Sequence, residues 1–419
     1  MASETRQRRP WTVMVYMAGD NGKLFDTSHG KVQLMAEMTT AGYRDLLEMG
    51  AVGTTDNVAT TCLFDTKDDT YLIEVRKGRG FADSAYRRLQ EVNTGDPRTL
   101  TAFIVQSVRD YPADHYALVI WNHGTGWLDV DHYAVVRDIG DKGQSHQPIF
   151  RTTPQRITGG DPSRPIAYDD SSKDFLDSQD LRQALAKAEA DAGIRLDLIG
   201  MDACLMAMIE GARELAPFAD YFVASQEVEP MAGWPYAPIL AALDGQPGLS
   251  PETLAHTIVE EFAHSYGGTT REETVTQSAI ALARTATTEA LCKALVDAIL
   301  AGRTATLKGL VLGAKDKTLA FQDRNYRDLG CFAALLAQKA GDYPEVTAAA
   351  EALRDHLQAR DAAGPVLRVG FLPNYEQATG LSVYLPAGSR YYAPDVYRSL
   401  RFAQATGWDQ LLDWLLGNW

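Results

Sequence analysis

The sequence predicts an α/β fold: a mostly parallel central sheet flanked by helices, followed by a mainly helical C-terminal region. Three observations lead there. Near-continuous apolar runs such as "VMVYMA", "YALVIW" and "LDLIGM" suit strands covered on both faces. Helical patterns lie between those runs, and from about Ser250 the texture turns to long amphipathic helices.

The elements follow in order. "WTVMVYMAGDN" is a strand running into a Gly/Asp/Asn turn, and "GYRDLLEMG" is a helix stopped by Gly50. "NVATTCLFDT" and "TYLIEVRKG" form a strand pair around "KDD". "DPRTLTAFIVQSVRDYP" has helix signals at both ends, with Asp96 as N-cap, Pro97 at the first position and Pro112 beyond the last turn. "HYALVIWNHG" is a buried strand ending at Asn122, His123 and Gly124. "IRLDLIGMDAC" is another, expected to lead straight into a helix with Leu205, Met208, Ile209, Ala212 and Leu215 on one face, and "YFVASQEVEP" is the next strand.

Beyond Ser250, helices are expected from Pro251, over "TTEALCKALVDAILAG", over "EVTAAAEALRDHLQAR" and over the tail "WDQLLDWLLGNW". "VLRVGFL" and "GLSVYLP" are strand-like, so residues 366–386 are expected to add strands to the sheet. The division expected is a catalytic domain over residues 1–245, with a flexible basic linker at about 131–170, and a helical region over 246–419.

Composition excludes several classes of function. With Lys+Arg 40 against Asp+Glu 55 the net charge is −15, which argues against nucleic acid as a partner. No run approaches the roughly 18 apolar residues of a membrane span. The N-terminus as given carries no secretory signal, and Cys62, Cys204, Cys292 and Cys331 are widely spaced without a CxxC pair. A reduced, cytoplasmic protein is the expectation.

In a parallel sheet, ligands bind at the carboxyl ends of the strands, where both "NHG" and "DAC" fall. Cys204 is there a candidate nucleophile; Cys62, Cys292 and Cys331 sit inside apolar patterns and read as core thiols. His123, remote in sequence but on the same rim, can serve as its acid and base. Gly124 lets the backbone approach a substrate, and its N–H with that of Cys204 can hold an oxyanion. Asp202 is unusual at the end of a buried strand; its ordinary alternative is an N-cap on the helix that follows. His256 and His264 lack the HExxH spacing of a zinc site, and no phosphate loop is present. The segment from Arg137 to Pro165 is rich in Gly and Pro and carries Arg137, Lys142, Arg151, Arg156 and Arg164.

Taken together, "VMVYMAGDN", "YALVIWNHGTGW", "LDLIGMDACLMAMIE", "ASQEVEPMAGWPY" and "TGLSVYLP" resemble, in order, the clostripain family of cysteine peptidases, whose fold is caspase-like. The resemblance implies a caspase-like sandwich and cleavage after a basic P1 residue, Arg before Lys, by a Cys204/His123 dyad. It places Asp202 on the acid that binds the P1 side chain, with Glu227 or Glu229 as a second acid; Asp20 and Asn21, at the end of the first strand, either line the same rim or form its turn. It also implies a zymogen cut between the His and Cys blocks, at Arg137, Lys142, Arg151, Arg156 or Arg164, by itself or by an upstream protease. The partners implied are proteins or peptides with exposed Arg or Lys. No cofactor is required for the chemistry; calcium is implied only because some relatives depend on it, and no EF-hand loop is present. The rival readings are a catalytically inactive scaffold and a thiol hydrolase or acyltransferase acting on a non-peptide substrate.

Overall fold

Consecutive burial from Trp11 to Ala18 puts β1 (Arg9–Ala18) at the centre of a sheet. The computed structural model describes residues 7–20, 25–26, 33–34, 38–122, 124, 166–169, 171–172, 174–267, 275–371 and 375–417. By its contacts the chain divides into two units, Met1–Ala203 with Met231–Thr257, and Cys204–Pro230 with Ile258–Trp419. The boundary expected near residue 246 falls inside the returning segment of the first unit.

In the first unit, a two-residue ribbon of β2 (Phe25–Asp26) and β3 (Gln33–Leu34) precedes α1 (Met38–Gly50). Strand β4 (Val58–Asp65), buried throughout, runs parallel to β1, and β5 (Thr70–Glu74) and β6 (Ala85–Arg88) extend that edge antiparallel. Helix α2 (Pro97–Asp110) starts as expected, with Asp96 accepting the N–H of Arg98 at 2.8 Å. Strand β7 (Ala113–Trp121) lies parallel to β1 on its other side. A ribbon of β8 (Ile166–Asp169) and β9 (Asp174–Leu176) leads to α3 (Ser178–Ala192), which opens with a capping box of Asp177 and Asp180. Strand β10 (Leu196–Asp202) then pairs parallel with β7.

Side chains alternate across this sheet, so each strand serves two layers. On one face Tyr16 meets Phe103 of α2. On the other, Gly42 of α1 lies against Phe64 and Met17, where a Cβ would come within 2.4 Å of the Phe64 ring. Covering both faces accounts for the near-continuous apolar strands. Each large side chain so buried contributes roughly 1.5–3 kcal/mol.

The chain leaves this unit through α4 (Ile209–Leu215) and β11 (Ala219–Ala224), returns for α5 (Tyr236–Gly245), and leaves again along α6 (Pro251–Tyr266). In the second unit β11, β12 (Thr276–Ala281) and β14 (Val366–Phe371) pair antiparallel. Helices α7 (Thr285–Ala301), α8 (Ala305–Lys315), α9 (Leu329–Lys339) and α10 (Pro344–Gln358) supply most of the remaining core, and α11 (Pro394–Tyr397), α12 (Arg401–Thr406) and α13 (Trp408–Leu416) close the chain. No described helix is long and apolar enough to cross a membrane.

Three expectations change. The strand-like run ending in "VYL" does not continue β14: β15 (Ser382–Tyr384) pairs with β13 (Tyr326–Asp328) in a ribbon of their own. Helices α8 and α9 were not foreseen, although Thr304 and Asp328 cap them conventionally. The helix after β10 begins at Ile209, not at Leu205. The intervening backbone is engaged elsewhere: the N–H of Leu205 donates to Glu227 O, that of Ala207 to Ser225 O, and Met208 bridges Ser382. A segment whose N–H groups are taken by neighbouring chain cannot also close helical turns.

Candidate active site

Asp202 ends β10 directly opposite Trp121 at the end of β7. Paired residues share a face, so both side chains point toward α1. Asp202 is 5% exposed, and its Oδ2 accepts the phenol O–H of Tyr236 at 2.9 Å and the N–H of Trp234 at 3.2 Å. Two glycines make room for this. A Cβ on Gly200 would meet the Trp234 ring at 2.6 Å, and Gly233, at φ +62°, brings the backbone within contact of the Asp202 carboxylate. Burial, with Asp202 and Asp45 nearby, holds the Tyr236 phenol well above its ordinary pKa, so it remains a donor. Asp202 is not a helix N-cap: that position belongs to Met208, which makes no side-chain cap bond.

Behind Asp202 stands an acid that the sequence reading missed. Asp45 is 1% exposed, accepts the indole N–H of Trp121 at 2.7 Å through Oδ2, and leaves Oδ1 without a partner among the described residues. Burial first, and then the charge of Asp202, raises its pKa to about 9. The signal was available in α1, whose buried positions are Met38, Ala41, Gly42, Asp45, Leu46, Met49 and Gly50. A carboxylate at the centre of an apolar helical stripe calls for a reason.

In the second unit, Cys204 is buried and the N–H of Glu229 points at its sulfur from 3.2 Å. The Glu229 carbonyl also lies within reach of the sulfur, at 3.8 Å, so the same backbone can accept from the thiol or donate to a thiolate. Leu205, the next residue, has φ +63°, a left-handed conformation costing about 1–2 kcal/mol in a residue with a side chain. The bond from its N–H to Glu227 O helps to hold that turn, which fixes the backbone beside the thiol. Glu227 is engaged internally: its carboxylate accepts the N–H groups of Val228 and Gln322 and the phenol of Tyr375. Glu229 has Gln277 Nε2 at 3.1 Å from its Oε1. Cys62 and Cys292 are core thiols, pushed well up by burial, and Cys331 is buried too.

His123 lies outside the described residues, as do Arg137, Lys142, Arg151, Arg156 and Arg164. Gly124 is described and buried. Asn122, between the Trp121–Asp202 pair and His123, is pinned by donating its N–H to Asp202 O and its amide to Ala18 O.

The model of the clostripain family matches residues 15–151 and 160–414, nearly the whole chain. The chain belongs to the clostripain family. This is a family of cysteine peptidases. Clostripain from Hathewaya histolytica is 24% identical over 272 residues, which cover 60% of this chain and 45% of that protein. The matched part thus spans about half the length of that curated relative. A secreted C11 cysteine protease from Bacteroides thetaiotaomicron, solved with an irreversible peptide inhibitor, superposes with a TM-score of 0.64 at 20% identity over 96% of this chain and 99% of its own. An inactive zymogen C11 protease from Parabacteroides distasonis gives 0.62 at 20% identity, with the same coverage. These likenesses establish the caspase-like α/β fold, and the chemistry of clostripain-family peptidases needs no cofactor.

A second acidic group lies in the first unit of this clostripain-family chain. Asp20, Asp65, Glu91 and Asp169 each bring a carboxylate oxygen within 4.8 Å of the others. None of the four forms an ion pair among the described residues. Burial first, and then the neighbouring carboxylates, raises Asp65 to about 9 and Glu91 to about 7. Four oxygens without sulfur or imidazole form the donor set of a hard cation such as calcium. The structure therefore groups Asp20 with this cluster, while Asp202 stands with Asp45 and Tyr236.

Proposed function

We propose that the protein is a cysteine endopeptidase that cuts after basic residues, Arg in preference to Lys, with Cys204 as nucleophile and His123 as its partner. One observation carries the reading: Trp121 and Asp202 are paired across β7 and β10, and the two catalytic candidates each follow that pair by two residues. Strands β7 and β10 end together at this pair, so the segments that carry His123 and Cys204 set out from neighbouring strand ends.

In the reaction, the Cys204 sulfur attacks the scissile carbonyl carbon as the thiolate, and the N–H groups of Gly124 and Cys204 receive the oxyanion. The imidazolium of His123 protonates the leaving amine as the C–N bond breaks. His123 then takes a proton from water, whose oxygen attacks the thioester carbonyl, and returning that proton to sulfur frees the enzyme. An ordinary thiol with pKa about 8.5 is mostly protonated at neutral pH, so either His123 takes its proton during attack or the Glu229 N–H stabilises the thiolate beforehand.

Asp202 selects the substrate. A buried carboxylate pairs more favourably with a planar guanidinium, which can engage both oxygens, than with an ammonium. Glu229 is the better second acid because its own backbone touches the sulfur, whereas Glu227 is spent on bracing loops. The segment holding Arg137, Lys142, Arg151, Arg156 and Arg164 is the proposed activation site, cut by the enzyme itself or by another protease. Cys62, Cys292 and Cys331 are buried thiols and no disulfide links the described residues, which favours a reducing, cytoplasmic setting.

If this chain uses calcium, Asp20, Asp65, Glu91 and Asp169 would hold it. The ion would offset two of the negative charges that these carboxylates can carry; no step of hydrolysis runs through it. Millimolar calcium should raise the melting temperature relative to EDTA, and an unchanged melting curve would remove the ion from this account.

The test of function is turnover of fluorogenic peptides with Arg, Lys, citrulline or Asp at P1. Wild type should prefer Arg, Cys204→Ala should be inactive, and Asp202→Asn should lose about 100-fold in kcat/KM on Arg, the scale of one charged hydrogen bond removed from a buried site. Equal turnover by wild type and Cys204→Ala would sink the proposal. Binding without turnover, even after limited proteolysis, would favour the scaffold.

A further inference from the structure

Asp45 is buried close to Asp202, and among the described residues its carboxyl group is only half satisfied. Trp121 Nε1 donates to one oxygen, at 2.7 Å, and the other is buried with no partner among the described residues. Leaving a buried acceptor unmet is costly, and neighbours usually rearrange to prevent it. Trp121 is paired with Asp202 on the same sheet face, so one indole connects the orphaned acid to the residue assigned to bind the P1 side chain. The groups that face Asp45 are Asp202 from β10, Tyr236 from α5, Cys62 from β4, and Glu48 and Arg44 from its own helix. Glu48 already accepts the N–H of Tyr236 at 3.2 Å, and Asp45 forms no ion pair among the described residues.

We propose that Asp45 is a second, deep acid of the Asp202 pocket, which ionises when a cationic side chain enters and so couples substrate binding to release of one proton. This rests on the reading of Asp202 as the binder of the P1 side chain. In the empty pocket Asp45 is neutral at pH 7, because burial and the Asp202 charge oppose a second negative charge there. An arriving guanidinium reverses that balance. Its N–H groups supply the partner that Oδ1 lacks, the carboxyl proton leaves to solvent, and a cation faces two carboxylates. The sign follows directly: binding that releases a proton strengthens as pH rises toward the free-pocket pKa of about 9, then levels off. A neutral side chain of the same shape gains nothing from this change.

The test uses full-length Cys204→Ala protein, which cannot cleave, and two peptides differing only in Arg or citrulline at P1. Calorimetric titration near pH 7.5 in phosphate and in Tris reads the proton count from the difference in heats. About one proton should leave with the Arg peptide and none with citrulline. Adding Asp45→Asn should abolish the release and weaken Arg binding about tenfold, leaving citrulline unchanged. Should that variant fail to fold, the Asp45 protein alone decides: its affinity for the Arg peptide must climb between about pH 6 and 9 while the citrulline peptide stays flat. Arg-selective binding with no proton released, or with the same release from the Asp45→Asn protein, overturns the role of Asp45 and leaves that of Asp202 intact. Equal binding of both peptides would overturn the two together.

Discussion

Asp65 is fully buried at the end of β4, with the hydroxyl of Thr70 at 2.6 Å and that of Thr94 at 3.2 Å. Burial lifts its pKa from 3.8 to about 9, aided by Asp169, Glu91 and Asp20 and opposed by the Thr70 bond. In the unfolded chain the same group ionises near 4. Its contribution is therefore fully present below about pH 4 and is lost as pH rises toward 9, since the folded state holds a proton that the unfolded state has shed. Without calcium, the wild-type melting temperature should fall more between pH 5 and 8 than that of Asp65→Asn; parallel curves would contradict the burial argument. At this scale Cys204 and Asp202 were legible as candidates, because a thiol and an acid ending an apolar strand break its pattern. Asp45 was not legible, since nothing near it in sequence says that its helical stripe faces Asp202.

Strand β10 positions the acid through what it omits. Gly200 leaves space for the Trp234 ring, and the Trp234 N–H in turn holds Asp202. Gly200→Ala should force that ring away, destabilising the protein by about 1–3 kcal/mol and raising KM for Arg peptides with less change in kcat. Unaltered melting and KM would show that the ring moves freely. The strands, helix α2 and its caps were readable because hydrophobic period and Asp-Pro chemistry are local signals. The stretch after β10 was misread for an equally physical reason. Its apolar spacing fits a helix, but the carbonyls of Ser225 and Glu227 take the N–H groups that a helix would need.

Across the whole chain, fold and activation are separate questions. If cleavage between the His and Cys blocks controls activity, intact mass spectrometry of active enzyme should find two polypeptides whose new ends flank one of Arg137, Lys142, Arg151, Arg156 or Arg164. An active, uncut chain would end that part of the proposal. The α/β class, the order of the main strands and the identity of the acid and thiol at one strand end were determined by sequence, because they depend on composition and on period along the polymer. Tertiary structure alone decided that Asp45 lies under Asp202, that Asp20 joins Asp65, Glu91 and Asp169, and that Glu227 is consumed by Tyr375 and Gln322. Those groupings depend on which remote segments the sheet brings to one face, and on which donors are left over once the backbone has been satisfied.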